Sequence, residues 1–138
     1  MISLIVGSKG SGKTKKLLAC VEQALAASKG YVVCVEKGEA LRHDISYKAR
    51  LVSTDKYGVS GYDELFALLV GLWAGNHDVT DILVDATFRI CPRDYEAFAD
   101  FLGRLSAFSE MSDVRFVLTA STDIESIPAR ALEYVTVI

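Results

Sequence analysis

Apolar residues along the chain occur in short uninterrupted runs, which alternate with segments where they recur every three or four positions. An uninterrupted run predicts a strand of a parallel sheet, because such a strand is buried on both faces. The spacing of three to four residues predicts a helix with one buried face. Strands are predicted at residues 1–6, 31–35, 81–85, 114–120 and 134–138, with a further short strand at 50–53. Helices are predicted at residues 13–28, 61–74 and 92–109.

The order of these elements predicts a three-layer α/β fold, in which helices cover both faces of a mostly parallel five-stranded sheet. A chain of 138 residues has the usual size of one domain, so residues 1–138 are expected to form a single domain. Residues 36–61 are the most polar and least regular part of the sequence. In folds of this kind ligands bind beyond the carboxyl ends of the strands, so functional side chains are expected directly after the strands.

Composition narrows the class of protein. The net charge of −3 argues against a general nucleic-acid binder, because such domains carry a basic face. The sequence has no long apolar run, and Met1 begins a predicted core strand instead of a basic leader, so neither a membrane span nor a signal peptide is expected. The three cysteines lie far apart in apolar surroundings. They favour reduced thiols in a cytoplasmic protein, with no cysteine-bound metal.

Residues 7–14, here called the glycine loop, read Gly-Ser-Lys-Gly-Ser-Gly-Lys-Thr and match the pattern G-x-x-x-x-G-K-[ST] between a predicted strand and a predicted helix. In this pattern the backbone N–H groups surround a phosphate, the lysine reaches the β- and γ-phosphates, and the hydroxyl ligates Mg²⁺. Lys13, also a catalytic candidate, and Thr14 take the last two roles. The alternative is a glycine-rich turn beside a solvated lysine face, but lysines are unfavourable at the positive end of a helix dipole unless an anion binds there. The predicted phosphate-binding residues are Gly7, Ser8, Lys9, Gly10, Ser11, Gly12, Lys13, Thr14 and Lys15.

Two acidic residues end predicted strands at the same edge of the sheet. Asp85 follows three apolar residues and has two possible roles, holding Mg²⁺ together with Thr14 or capping the next turn. The glycine loop upstream favours the magnesium role. Many ATPases place a glutamate directly after this aspartate, whereas the present sequence has Ala86. Glu36, at the end of the second strand, is therefore either a catalytic carboxylate facing the γ-phosphate or the first residue of a polar loop.

Further candidates are polar or basic residues near the strand ends. Thr119 and Ser121 are either sensors of the γ-phosphate or ordinary strand-terminal hydroxyls. Arginines in the polar segments are further candidates. Such an arginine can stabilise the charge on a transferring phosphoryl group, including a group bound by a neighbouring subunit. The candidates, each otherwise a solvated surface residue, are Arg42, Arg50, Arg89 and Arg130.

The glycine loop and residues 82–85 (Ile-Leu-Val-Asp) resemble the P-loop NTPase superfamily. The chain is also similar, over nearly its full length, to a small bacterial family of stand-alone ATP-binding proteins, sometimes described as twitching-motility ATPases. That resemblance is carried by residues 1–18, 62–71, 82–85 and 114–121. It implies a RecA-like core that binds a nucleotide. It does not extend to a secretion motor, because such motors are much longer and carry acidic and histidine boxes that are missing here.

The resemblance leaves three functions open. ATP is favoured over GTP as the ligand, because residues 120–123 lack the lysine of a guanine-reading motif. With Mg-ATP as ligand, the protein is predicted to be a weak ATPase or an ATP-dependent switch. The alternatives are a small-molecule, nucleoside-type kinase, which needs an acceptor pocket and a lid, and a non-hydrolysing nucleotide sensor. An unknown protein partner or a homo-oligomer is left open.

Overall fold

The computed structural model describes all 138 residues, and its strands form a single sheet. The strands are β1 (Ile2–Gly7), β2 (Tyr31–Glu36), β3 (Arg50–Ser53), β4 (Val79–Asp85), β5 (Arg115–Ser121) and β6 (Thr136–Val137). Their order across the sheet is β3-β2-β4-β5-β1-β6, and every neighbouring pair is parallel. The predicted α/β class and the mostly parallel sheet are thus confirmed.

The sheet has six strands instead of the predicted five. The sixth strand is β3, an edge strand paired with β2 from Val33 opposite Arg50 to Glu36 opposite Ser53. It has the bounds of the short strand predicted at residues 50–53, which was not counted among the five. It gave only a weak sequence signal, because it has four residues and lies within the polar stretch. Two of its residues are buried, Val52 with 3% and Ser53 with 6% of the surface exposed.

Five helices connect or follow the strands. They are α1 (Lys13–Ala27), α2 (Tyr62–Ala74), α3 (Thr87–Ile90), α4 (Tyr95–Ser112) and α5 (Ala129–Leu132). Helix α4 begins at Tyr95 instead of the predicted residue 92, because the Asp94 side chain caps it by accepting a hydrogen bond from the Ala97 amide at 3.1 Å. No helix combines the length and the apolar character needed to cross a membrane.

The two faces of the sheet are covered by different elements. The chain moves one way along the sheet from β1 through β2 to β3, and the opposite way from β3 through β4 and β5 to β6. Right-handed crossovers place connections made in opposite directions on opposite faces. Accordingly, Ile5 packs in one apolar cluster with α1 and residues 41–49, whereas its neighbour Leu4 packs in a second cluster with α2, α4 and α5.

The parallel register collects several chain segments at one edge of the sheet. Gly7 lies opposite Ser121, and Glu36 lies opposite Asp85, so four strands end at the same level. The Gly7 amide also donates to the Thr122 carbonyl at 3.0 Å, which joins the glycine loop to the segment after β5. This carboxyl edge is where a ligand is expected in such a sheet.

Candidate functional site

The glycine loop forms a tight turn between β1 and α1. Within it, the Ser11 amide donates to the Ser8 carbonyl at 3.1 Å. Gly12 adopts a left-handed backbone, with φ 91°, at the position that caps α1. A side chain on Gly7 would collide with the Ser11 hydroxyl. The glycines therefore permit a turn that residues with a Cβ atom would strain.

The amino terminus of α1 is unusually positive. No side chain caps it, and its first turn contains no acidic residue, but it does contain Lys13, Lys15 and Lys16. The Lys13 ammonium folds over the glycine loop and donates to the Ser8 carbonyl at 2.7 Å, with 9% of the residue exposed. Uncapped N–H groups and the helix dipole favour an anion at such a terminus, and these lysines strengthen the preference.

Asp85, the last residue of β4, connects the glycine loop to the neighbouring strand. Its Oδ2 accepts a hydrogen bond from the Thr14 hydroxyl at 3.2 Å, and its Oδ1 accepts one from the Thr119 hydroxyl at 2.7 Å. Thr119 is fully buried, so its hydroxyl has a fixed position from which to orient the carboxylate. Three residues singled out from the sequence are thus in direct contact.

A cavity of about 510 Å³, here called the loop cavity, opens in front of the glycine loop. Most candidates from the sequence line it together, and they are Lys9, Gly10, Lys13, Thr14, Asp85, Arg89, Thr119 and Ser121. Arg93 also lines it, which gives four cationic side chains against the single carboxylate of Asp85. Neither Arg89 nor Arg93 forms an ion pair with a carboxylate. The loop cavity is therefore suited to a ligand with several negative charges.

The other glycine-loop residues lie around the turn. Ser8 contributes its carbonyl to Lys13 and Ser11, as described above. The remaining predicted members line a shallow depression on the α1 side of the loop, and they are Gly7, Ser11, Gly12 and Lys15. Their backbone and side chains form the outer wall of the turn, so the loop is bordered by cations on both sides.

Two residues of the loop cavity, Phe88 and Arg93, were missed by the sequence reasoning. The Arg93 guanidinium lies over the Phe88 ring at 4.8 Å and donates to the Ser121 carbonyl. Neither residue belongs to a recognisable pattern. Their position depends on how the chain between α3 and α4 folds over the edge of the sheet, and no local signal predicts that path.

The backbone next to Asp85 is strained. Ala86 has φ 25° and ψ 101°, an unusual conformation for a residue with a side chain, and it lines the loop cavity. This turn takes the chain from β4 directly into α3, which carries Arg89. Strain of this kind concentrates at functional sites, where it is part of the positioning of reactive groups.

Glu36 does not line the loop cavity. Its Oε1 accepts a hydrogen bond from the Ala40 amide at 3.1 Å, and its Oε2 accepts one from the Leu41 amide at 2.9 Å. Burial raises the pKa of its carboxyl above the ordinary value, in part offset by these two amides, and the nearby charge of Asp85 raises it further. In this geometry the carboxylate holds the polar segment after β2 in place.

The other arginines considered from the sequence lie away from the loop cavity. Arg42 pairs with Glu39 at 3.5 Å, and Arg130 pairs with Glu96 at 2.7 Å and with Asp100. Arg50 begins β3 and therefore lies at the opposite edge of the sheet. Of the four arginines predicted from the sequence, Arg89 alone lines the loop cavity.

No protein-family model matches this chain, and no curated protein is significantly similar to it. The chain also contains no cluster of three or more His, Cys, Asp or Glu side chains arranged to hold a metal ion. A metal ion in the loop cavity would therefore need oxygen atoms from its ligand in addition to those of the protein. The chemistry that this site supports is the binding of a polyanion, with or without a divalent cation.

Proposed function

We propose that the protein binds Mg-ATP in the loop cavity and acts as a weak ATPase or an ATP-dependent switch. One observation carries this proposal: the glycine loop, Asp85 and four unopposed cations converge on the same cavity. A triphosphate has the charge to match these cations, and its phosphates would accept hydrogen bonds from the free N–H groups of the loop. We further propose that the fold is a P-loop NTPase fold of the RecA-like type.

The residues present fit a magnesium ion. Mg²⁺ takes six oxygen ligands in an octahedron at about 2.1 Å, so two adjacent ligands lie about 3 Å apart. The Thr14 hydroxyl and Asp85 Oδ2 lie 3.2 Å apart, close to that spacing. Magnesium typically relies on one or two carboxylates and completes its shell with phosphate oxygens and water. In the loop cavity it would neutralise phosphate charge, while Lys13 and the loop amides bind and orient the phosphate groups.

The choice of ATP over GTP is supported by the segment after β5. A guanine-reading site needs a free aspartate beside a lysine, but Asp123 accepts hydrogen bonds from the amide and the hydroxyl of Ser126 at 2.9 and 2.6 Å. Both bonds go to the same carboxylate oxygen, Oδ1, which is thus committed to a local turn. The lysine is absent from residues 120–123.

A non-hydrolysing nucleotide sensor is the second candidate function, and the contacts of Glu36 favour it. Both oxygens of its carboxylate accept backbone hydrogen bonds, and Asp85 is the one carboxylate in the loop cavity. Without a free carboxylate to activate water, hydrolysis would be slow or absent. Phosphate release from ATP therefore separates the two functions. If the wild type hydrolyses ATP and Glu36→Gln does not, Glu36 takes part in hydrolysis.

Calorimetric titration of the protein with Mg-ATP tests the proposed binding. Lys13→Ala is expected to weaken binding at least tenfold, because it removes the cation that lies over the glycine loop. The matched control is Lys29→Ala, which removes an exposed lysine just beyond the other end of α1. Wild-type protein that does not bind Mg-ATP, or equal losses in the two variants, would refute the proposal.

A further inference from the structure

A second cavity, of about 550 Å³, lies at the edge of the sheet opposite the glycine loop. We call it the amino-edge cavity, because the first residues of three strands line it: Tyr31 of β2, Arg50 of β3 and Val79 of β4. Val79 and Asp85 are the two ends of β4, six residues apart, so about 20 Å separates the two cavities. A ligand in the amino-edge cavity would therefore not contact the glycine loop.

Aromatic side chains are unusually exposed at this cavity. Tyr47 has 92% of its surface exposed and Tyr31 has 56%, and both line the cavity. The floor is apolar, being formed by Val33, Leu72 and Val79. Exposed rings above an apolar floor provide a surface on which a flat ring can stack.

The charges at the amino-edge cavity are positive. Lys48 and Arg50 line it, and neither forms an ion pair, while no carboxylate is among the lining residues. The Asn76 side-chain oxygen accepts a hydrogen bond from the Asp78 amide at 3.0 Å, which leaves its NH₂ group available as a donor. The amino-edge cavity is therefore locally positive, although the chain as a whole has a net charge of −3.

We propose that the amino-edge cavity is a second binding site, which takes an aromatic ring bearing a phosphate group, as in a nucleotide. The ring stacks on Tyr47 and Tyr31, and the phosphate pairs with Lys48 and Arg50. Stacking of a base on an aromatic side chain, beside cations that hold the phosphate, is a common mode of nucleotide recognition. A free mononucleotide and a single strand of nucleic acid share this chemistry. The site does not depend on the glycine loop, so the proposal is independent of the proposed function.

Titration with AMP, followed by NMR, tests this site, because a monophosphate lacks the β- and γ-phosphates that the glycine loop would bind. AMP is expected to bind. Adenosine, which lacks the phosphate, and ribose 5-phosphate, which lacks the aromatic ring, are each expected to bind about tenfold more weakly. Tyr47→Ala should weaken AMP binding about tenfold, in line with the contribution of one stacked base. Its high exposure means that this change leaves the fold intact.

Two controls locate the binding. Tyr57→Ala removes another exposed tyrosine, which also lies beside a lysine but outside the cavity, and it should leave AMP binding unchanged. Lys13→Ala should also have no effect. The proposal is overturned if AMP does not bind, if Tyr47→Ala binds AMP as well as the wild type, or if Lys13→Ala removes the binding.

A short adenylate oligomer distinguishes the two sources of the ligand. Binding that is at least tenfold tighter than that of AMP and sensitive to Tyr47→Ala would support a single strand of nucleic acid. Equal affinity for AMP and for the oligomer would support a free nucleotide. In both cases the loss caused by Arg50→Gln should shrink as salt concentration rises, because added ions screen the phosphate contact.

Discussion

At the scale of single residues, Asp85 has the central position in the candidate site. One carboxylate accepts hydrogen bonds from Thr14 in the glycine loop and from Thr119 in β5, at 3.2 and 2.7 Å. Partners of this kind orient a metal-binding carboxylate, and their loss commonly weakens metal binding about 10- to 100-fold. Asp85 thus links the loop that would hold the phosphates to the strand that fixes the carboxylate.

Asp85→Asn is predicted to remove the dependence of ATP binding on magnesium. The amide still offers one oxygen to a threonine hydroxyl, but it lacks the negative charge that a hard cation requires. Magnesium should therefore strengthen ATP binding at least tenfold in the wild type and have little effect in the variant. Calorimetric titration with ATP, with and without Mg²⁺, measures this difference.

The matched control is Asp81→Asn, the same change in the first half of β4. Asp81 pairs with Arg115 at 3.1 Å and is 7% exposed, so its replacement should lower the melting temperature without changing the effect of magnesium. If magnesium strengthens ATP binding equally in wild type and Asp85→Asn, Asp85 does not hold the metal.

The sequence predicted those parts of the site that depend on local patterns. Lys13 and Thr14 belong to a continuous motif, and Asp85 ends an apolar strand, so their convergence follows from the parallel sheet alone. Arg93 and Phe88 meet only because the segment between α3 and α4 turns back over the sheet. The side-chain direction of Glu36 likewise depends on where the Ala40 and Leu41 amides lie.

At the scale of elements, Glu36 organises the segment between β2 and β3. Its carboxylate accepts from two successive amides of that segment, and Leu41 and Ala49 then pack into the apolar cluster beneath α1. The strands with long apolar runs were predicted, and the short edge strand β3 was predicted at residues 50–53 but was left out of the five-stranded sheet. The reason is that β3 gains its stability from pairing with β2, which a local pattern does not reveal.

Glu36→Ala is predicted to expose the amides of Ala40 and Leu41 to exchange with solvent. The Leu41 donor is buried, and a buried donor that loses its acceptor costs about 1–3 kcal/mol, which corresponds to at least about fivefold faster exchange. Hydrogen exchange followed by NMR measures the exchange rates of these two amides. Glu39→Ala, which removes an exposed carboxylate from the same segment, should leave both amides protected. Unchanged exchange in Glu36→Ala would show that other contacts hold the segment.

At the scale of the whole molecule, charge is distributed unevenly around the sheet. Four cations surround the loop cavity, and further unpaired cations line the amino-edge cavity, although the chain is acidic overall. The buried carboxylate of Glu36 lies at the carboxyl edge of the sheet, opposite Asp85 in register, and the charge of Arg89 on α3 partly counteracts that of Asp85. The free energy of unfolding should therefore carry a contribution from Glu36 that changes with pH.

That contribution is predicted to decrease as pH rises. Burial raises the pKa of Glu36 in the folded protein, so the folded state binds more protons than the unfolded state between the two pKa values. Stability from this group is complete below the ordinary glutamate pKa of about 4.3 and is lost as pH rises through the folded-state value. Urea unfolding of wild type and Glu36→Gln, repeated at several pH values from below the ordinary glutamate pKa upward, measures this change in the free energy of unfolding. A wild type that gains stability relative to the variant with rising pH would contradict the sign.

The most direct test of the central claim is an NMR titration of the backbone amides with Mg-ATP. If the glycine loop surrounds the phosphates, the amides of residues 8–14 should show the largest shifts, and Lys13→Ala should abolish them at the same ATP concentration. Loop amides that stay unshifted at saturating Mg-ATP would contradict the account, whether the nucleotide binds elsewhere or does not bind.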